Sequence, residues 1–331
     1  MRRKRNLRLI LAAILCASMF WLAGCGASHT QSGRPSADQS NPAGASNPAD
    51  QSNSAGETAQ SPPNAAPTPD NDDDAWRIRL ITTAGDELWS FTEYELSSSL
   101  HPARIGTVAY VYSTINNWPT ARFYAAEGHI IEEILLIAEA LENMQTVTFR
   151  AEDGYEVSLT REQLLAPQYF FPHVSESDAG AAPVRPMIAY RWRAGANDLS
   201  EIRDEKPALI FGQTNPSQHT NPAFVIGVTE IVVDSAPSET WPVASAFPLP
   251  GPIPVGETVK LQHPSFGLVK LHYTLDGSDP TPLSSMYNPS TFQPELNLPI
   301  PIAEPTTIKV IVTGFGRNDS EIAVFEFWPA P

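Results

Sequence analysis

Cysteine is almost absent from this chain of 331 residues, which contains two, Cys16 and Cys25. Both lie near the amino end, so everything after Cys25 lacks a thiol. A structural disulfide and a thiolate metal site are therefore excluded beyond that residue. The folded part of the chain must be stabilised by its hydrophobic cores alone.

Basic residues are also few, with 21 Lys and Arg against 37 Asp and Glu and a net charge of −16. Residues 1–24 hold five of the basic residues and no acid, so their removal leaves a net charge of −21. Clustered Lys and Arg are what bind nucleic acid and anionic lipid headgroups. We therefore expect no nucleic-acid partner and no electrostatic docking to a membrane.

The amino end lacks an apolar run long enough to span a bilayer. Residues 9–22 form an apolar stretch of about 14 residues, whereas a spanning helix needs roughly 20. The stretch follows four basic residues at positions 2–5 and ends in Leu22-Ala23-Gly24-Cys25. A positive start, an apolar middle and small residues before the cut are typical of a secretory signal. An uncleaved anchor fits this length less well.

Leu22-Ala23-Gly24-Cys25 resembles the lipobox of bacterial lipoproteins. The resemblance implies that residues 1–24 are a signal peptide removed after Gly24 and that Cys25 carries a diacylglycerol. Two or three acyl chains, such as palmitate, hold a protein stably on a membrane, where one chain is marginal. We expect an exported, lipid-anchored protein that faces outside the cytoplasm.

Residues 25–74 are predicted to be a disordered linker. They consist mainly of Ser, Asn, Gln, Ala, Gly and Pro and end in an acidic run at 70–74. With almost no large apolar residue, such a segment gains too little burial to offset the entropy of ordering. The linker would lift the folded domains off the membrane.

Residues 75–236 are predicted to form an α+β domain, because strand and helix patterns are mixed without strict alternation. The clearest helix pattern places Ile130, Ile134, Ile137, Ala138 and Leu141 on one stripe. Glu152-Asp153-Gly154 between two β-rich runs predicts a hairpin. Capping boxes begin at Thr92 and Thr160. Strands are predicted at 76–81, 108–112, 147–150, 155–159, 169–171, 187–192, 208–212 and 228–233.

This domain resembles the sulfite-oxidase-like molybdopterin-binding fold. The likeness is carried by three stretches: Phe91 to Leu96, Glu127 to Leu135, and Val147 to Tyr155. In that family a loop cysteine gives its thiolate to molybdenum. Here Ser113, placed in a predicted loop at 112–118, stands about where that cysteine would be. A serine oxygen is a hard ligand where the family uses a soft one. We therefore expect no molybdopterin and no other cofactor, although an oxygen-ligated molybdopterin enzyme is kept as an alternative.

Residues 243–331 are predicted to form an all-β, immunoglobulin-like sandwich, with β-rich runs at 257–262, 269–275, 307–313 and 321–327. The stretch from Tyr273 to Thr281 is similar to a signature of the chitobiase/β-hexosaminidase C-terminal-type domain. The family resemblance implies an accessory module without catalysis. Asp276 and Asp279 in this motif are expected to make a turn rather than bind calcium or a sugar hydroxyl.

A candidate ligand pocket is predicted from two polar loops, because amides around an aromatic face suit a polar ring. Its residues are Ser113, Asn116, Asn117, Trp118, Asn215 and His219, with Asn221 nearby. The alternative is that these amides hold the loops and that Trp118 is core. A hydrolase that uses Ser113 and His219 is not favoured, because Ser113 does not lie in the Gly-x-Ser-x-Gly motif of a nucleophile elbow. The histidines show no metal-ligand spacing, so no metal site is predicted.

Three functions follow from these patterns. The first is a non-catalytic binding or scaffolding lipoprotein whose partner is a glycan or a surface protein. The second is the molybdopterin oxidoreductase, for which Arg104, Arg122 and Arg150 would contact the pterin phosphate. The third is a glycan-binding lipoprotein that uses the sandwich.

Overall fold

A computed structural model describes residues 76–97 and 105–330, and these belong to one compact unit with two hydrophobic cores. The lipobox, Cys25 and the linker lie outside the described residues. Within the described part, no helix has the length and apolarity required to cross a bilayer.

The first domain, residues 76–236, consists mainly of strands. Its strands are β1 (Ile78–Thr82), β2 (Glu87–Phe91), β3 (Thr107–Ile115), β4 (Ala121–Ile130), β5 (Thr146–Ala151), β6 (Glu156–Thr160), β7 (Gln168–Phe170), β8 (Ala182–Val184), β9 (Met187–Ala194), β10 (Asp204–Ile210), β11 (Val225–Ile226) and β12 (Val228–Asp234). The helices are α1 (Glu93–Ser97), α2 (Ile131–Ile137) and α3 (Arg161–Leu165), with 3₁₀ turns at Leu199–Glu201 and Asn221–Ala223.

Two five-stranded sheets enclose the first core. One has the order β2-β1-β12-β5-β6, in which only β1 and β12 are parallel, and the other is antiparallel with the order β11-β10-β9-β4-β3. Buried side chains from both sheets, such as Phe149, Tyr112 and Ile188, pack with Ile134 of α2. With helices of only five to seven residues, strands dominate, so the predicted α+β character is limited to these short helices.

Local signals in the sequence are confirmed at several points. The Asp-Gly hairpin joins β5 to β6, and both capping boxes form, with the Thr160 hydroxyl accepting from the Gln163 amide. The helix predicted from the apolar stripe forms, as α2, but it is shorter than predicted. Ala138 ends it, and Glu139 adopts a left-handed backbone conformation. Both Ala140 and Leu141 donate their amides to the Leu135 carbonyl, which closes the turn.

The sandwich domain, residues 243–330, is all β, as predicted. Its strands are β13 (Ser245–Phe247), β14 (Gly251–Pro254), β15 (Thr258–Gln262), β16 (Val269–Thr274), β17 (Ser285–Met286), β18 (Ile300–Pro301), β19 (Thr306–Gly314) and β20 (Ala323–Ala330), with a 3₁₀ turn at Pro294–Leu296. A three-stranded sheet, β13-β15-β18, faces a five-stranded sheet, β14-β20-β19-β16-β17. Leu261, Leu271, Val310 and Phe327 fill the second core between them.

Candidate functional site

Ser113, proposed as the metal-ligand position, does not lie in a loop. The predicted loop at 112–118 is wrong over its first half, because β3 continues through Ile115 and pairs along its whole length with β4. The Ser113 side chain is fully buried, donates to Gln213 Oε1 at 2.6 Å and accepts from the Phe171 amide at 2.7 Å. Its hydroxyl therefore serves the packing of β3 against the segments at 171 and 213.

Asn116 shapes the turn between β3 and β4. Its Oδ1 accepts from the amides of Trp118 at 2.9 Å and Thr120 at 3.0 Å. This side chain acts as a local turn former, as Asn commonly does. The turn projects Trp118 outward with 54% of its surface exposed, so Trp118 is not a core residue.

The late loop folds back on itself in the same way. Asn215 Oδ1 accepts from the Ser217 amide at 3.0 Å, and Gln213 Nε2 donates to the Gln218 carbonyl at 2.8 Å. Asn221 donates to the Tyr124 hydroxyl at 2.9 Å. Gln213 and Asn215 stabilise the backbone of the loop, and Asn221 bonds it to β4, which agrees with the interpretation that these amides hold the loops.

The loop at 116–120 meets the sandwich domain. The Asn117 carbonyl accepts from Ser290 Oγ at 2.9 Å and from the Thr291 amide at 3.3 Å. The Trp118 ring stacks on Phe292, with centroids 5.5 Å apart and planes 20° from parallel. The loop at 116–120 therefore helps to hold the domains together.

A group of three basic side chains, two buried histidines and one half-buried lysine, lies at this junction. Lys270 and His272 are on β16, and His219 comes from the late loop. Burial lowers the pKa of His219 to about 3, with Lys270 and His272 adding to the effect. Burial likewise lowers the pKa of Lys270 to about 8 and that of His272 below its usual value. No acidic side chain of the described residues contributes to these shifts.

Lys270 is held by backbone carbonyls instead of a carboxylate, since Nζ donates to Asn288 at 3.1 Å and Pro289 at 3.3 Å. We predict that Lys270→Met stabilises the protein by about 1 kcal/mol at pH 7. The lowering of the Lys270 pKa from 10.5 to about 8 destabilises the folded wild type by about 3 kcal/mol at pH 7. The variant avoids this cost but loses two hydrogen bonds, which together contribute about 2 kcal/mol. Because the pKa of Lys270 is lower in the folded state than in the unfolded state, the destabilisation of the wild type is fully present below about pH 8.

Urea unfolding of Lys270→Met at pH 7 and pH 10 checks the prediction. At pH 10 the wild-type lysine is already neutral in the folded state, so the remaining pKa cost of about 1 kcal/mol is smaller than the loss of the two hydrogen bonds, and the gain should turn into a loss of about 1 kcal/mol. Lys260→Met, on the exposed face of β15, is the matched control and should change little. A destabilised Lys270→Met at pH 7 would contradict the argument.

Further contacts at the junction come from α3. Gln163 Nε2 donates to the carbonyls of Gly314 and Arg317, at 2.8 and 3.1 Å, and its Oε1 accepts from the Gly316 amide. Phe315 packs edge-on against Phe211 of the first core. The junction is thus fixed by contacts from α3 as well as from the loop at 116–120.

The aspartates of the sandwich motif have turn and surface roles. Asp276 Oδ1 accepts from the Ser278 amide at 3.0 Å and from its hydroxyl at 2.6 Å, and Asp279 pairs with Lys309 at 2.8 Å. Among the described residues, no group of three or more His, Cys, Asp or Glu is arranged to hold a metal ion.

A separate cleft of about 250 Å³ lies beside α2 and β8. Its charged lining residues are Glu132 and Arg185, which already pair at 2.9 Å. Its remaining walls are largely apolar and rich in proline. The cleft therefore offers no unpaired charge to a ligand.

Comparison with known proteins bears on the sandwich. Residues 248–324 match the family described as Chitobiase/beta-hexosaminidase C-terminal domain, which confirms the resemblance drawn from the Tyr273 to Thr281 motif. The match covers less than half of the chain and assigns this domain alone. No curated protein matches the chain. A solved structure described as "Marsupial T cell receptor" is 10% identical over 69% of this chain and 73% of that chain, with a TM-score of 0.17, which carries no argument.

Sequence reasoning found Trp118 and His219 but missed their partners. Phe292 and Ser290 lie in a stretch without a recognised motif. Lys270 lies between two apolar residues of β16, where the alternation of a strand predicts a solvent-facing side chain. Only the docking of the first domain onto the sandwich brings these side chains together.

Proposed function

We propose that this protein is an exported bacterial lipoprotein that binds or scaffolds at the cell envelope without catalysis. The observation that supports a role without catalysis is that the loop at 116–120, predicted to line a ligand pocket, instead joins the two domains. Residues that suggested a reactive pocket, Ser113 and His219, are buried and take part in packing. In this proposal the acyl chains on Cys25 and the linker to residue 74 present the joined domains outside the cytoplasm.

The first domain is proposed to be related to the molybdopterin-binding fold without using its cofactor. The residues do not fit the group: the Ser113 oxygen has no exposed surface and already donates one hydrogen bond and accepts another. Arg150 is engaged by Glu156 and Glu230, Arg122 lies on β4, and Arg104 is outside the described residues. Stoichiometric molybdenum in protein purified from its native host would overturn this proposal in favour of the oxidoreductase.

Lipidation gives the proposal a direct test. We predict that Cys25→Ser abolishes the mass gain of the acyl chains and releases the protein from the membrane fraction. The physical reason is that two or three buried chains supply the attachment, and the acidic mature chain supplies none. Mass spectrometry and sedimentation of membranes measure both effects.

The chain contains its own control, because Cys16 is the only other cysteine. Cys16→Ser should keep both the acyl mass and the membrane attachment. If Cys25→Ser still sediments with membranes at the wild-type mass, the lipoprotein proposal is wrong.

A further inference from the structure

The stacked rings of Trp118 and Phe292 form an exposed aromatic platform at the domain junction. Both side chains stay more than half exposed, at 54% and 58%, although they contact each other. Leu296 and Leu298, on the same sandwich loop as Phe292, are also exposed, at 41% and 70%. An exposed cluster of large apolar side chains is more informative than a single one, because it marks a contact surface.

The platform is held in place before any ligand arrives. Asn116 fixes the turn that carries Trp118, and Asn297 fixes the loop that carries Phe292 by bonding both backbone groups of Ser290. Ser290 Oγ also accepts from the backbone amide of Gln293 at 2.8 Å while it donates to the backbone carbonyl of Asn117. Preorganised rings bind with a smaller entropic cost than rings on free loops.

Unused polar groups flank the two rings. The side-chain amides of Asn117 and Gln293 make no hydrogen bond to the described residues, and each is adjacent in sequence to one ring. An amide both donates and accepts, as a hydroxyl does. The loops at 116–120 and 288–298 contain a single charged residue, Glu295.

We propose that Trp118 and Phe292 together form a binding site for a neutral saccharide. The ring faces would contact the apolar C–H face of a sugar, and the Asn117 and Gln293 amides would bond its hydroxyls. The bases of a nucleic acid also stack on aromatic faces, but its backbone phosphates need the basic side chains that these loops lack. This inference rests on the proposed binding role and names its ligand class.

The test uses the full chain, solubilised in detergent, and isothermal titration calorimetry. The probes are β-1,4-linked hexamers of glucose and of N-acetylglucosamine, with a thymidine hexanucleotide as the anionic alternative. We expect at least one saccharide to bind. Trp118→Ala and Phe292→Ala should each raise its Kd at least tenfold, and Trp118→Phe should lose less.

Trp328→Ala is the matched control, because Trp328 is 45% exposed on β20. It should bind like the wild type, and thermal unfolding should show that all variants remain folded. The inference is overturned if neither saccharide binds the wild type, if Trp118→Ala binds as well as the wild type, or if the nucleotide binds instead. Such a result would leave the Cys25→Ser prediction intact, so the two failures can be told apart.

Discussion

Acidification from pH 7 to pH 4 should lower the free energy of unfolding by about 3 kcal/mol through His219 alone. The pKa of His219 falls from 6.5 to about 3 on folding, because its ring leaves water for the domain junction. The folded state therefore binds fewer protons than the unfolded state, and stability is lost as pH falls below 6.5. The loss grows until about pH 3, where the folded state also becomes protonated.

Two other histidines act in the same direction. Burial in the first core lowers the pKa of His129 to about 4, and burial on β16 lowers that of His272. Protonated His219 would also be repelled by Lys270 and His272. Among the described groups that shift the pKa of His219, none is acidic and could offset this repulsion. Acid should thus weaken the junction before it affects the sandwich core, which contains apolar side chains.

Urea unfolding at several pH values measures this effect in the wild type and in His219→Gln. Glutamine can still donate a hydrogen bond but does not titrate, so the variant should lose about 3 kcal/mol less between pH 7 and pH 4. His173→Gln replaces an exposed histidine and should follow the wild type. If the free energy of unfolding of His219→Gln depended on pH as that of the wild type does, His219 would be ruled out as the source of the acid sensitivity.

The sequence allowed prediction of features that depend on neighbouring residues. Thr160 and Gln163 form their box because both partners lie within one turn, and Gly154 permits the hairpin at its positive φ of 86°. The Tyr273 to Thr281 motif located the sandwich because its turn chemistry is local. The candidate site depended instead on contacts between distant segments, such as Asn117 with Ser290, which no local pattern encodes.

The segment from Glu127 to Ile130 shows how a local pattern misleads. The apolar stripe that begins at Ile130 predicted a helix from that residue, but Ile130 is the last residue of β4, and α2 begins only at Ile131. The register between β4 and β9 shifts between Glu127 and Gly128, which is a bulge. Glycine inside a strand often marks a bulge or a close backbone approach. That reason for Gly128 lies in β9, some sixty residues away, and is not visible locally.

Gly128→Ala should therefore destabilise the protein by at least about 3 kcal/mol, at the upper end of overpacking effects. A Cβ at this position would lie 2.1 Å from the Ile188 carbonyl oxygen and 2.6 Å from the Ala189 Cα, so the backbone of β9 must move. Urea unfolding checks the change, and Gly106→Ala is the control because a Cβ there meets nothing within 4 Å. Loss of soluble Gly128→Ala beside soluble Gly106→Ala would agree with the prediction. Equal stability of the two variants would mean that β4 and β9 are not this close at Gly128.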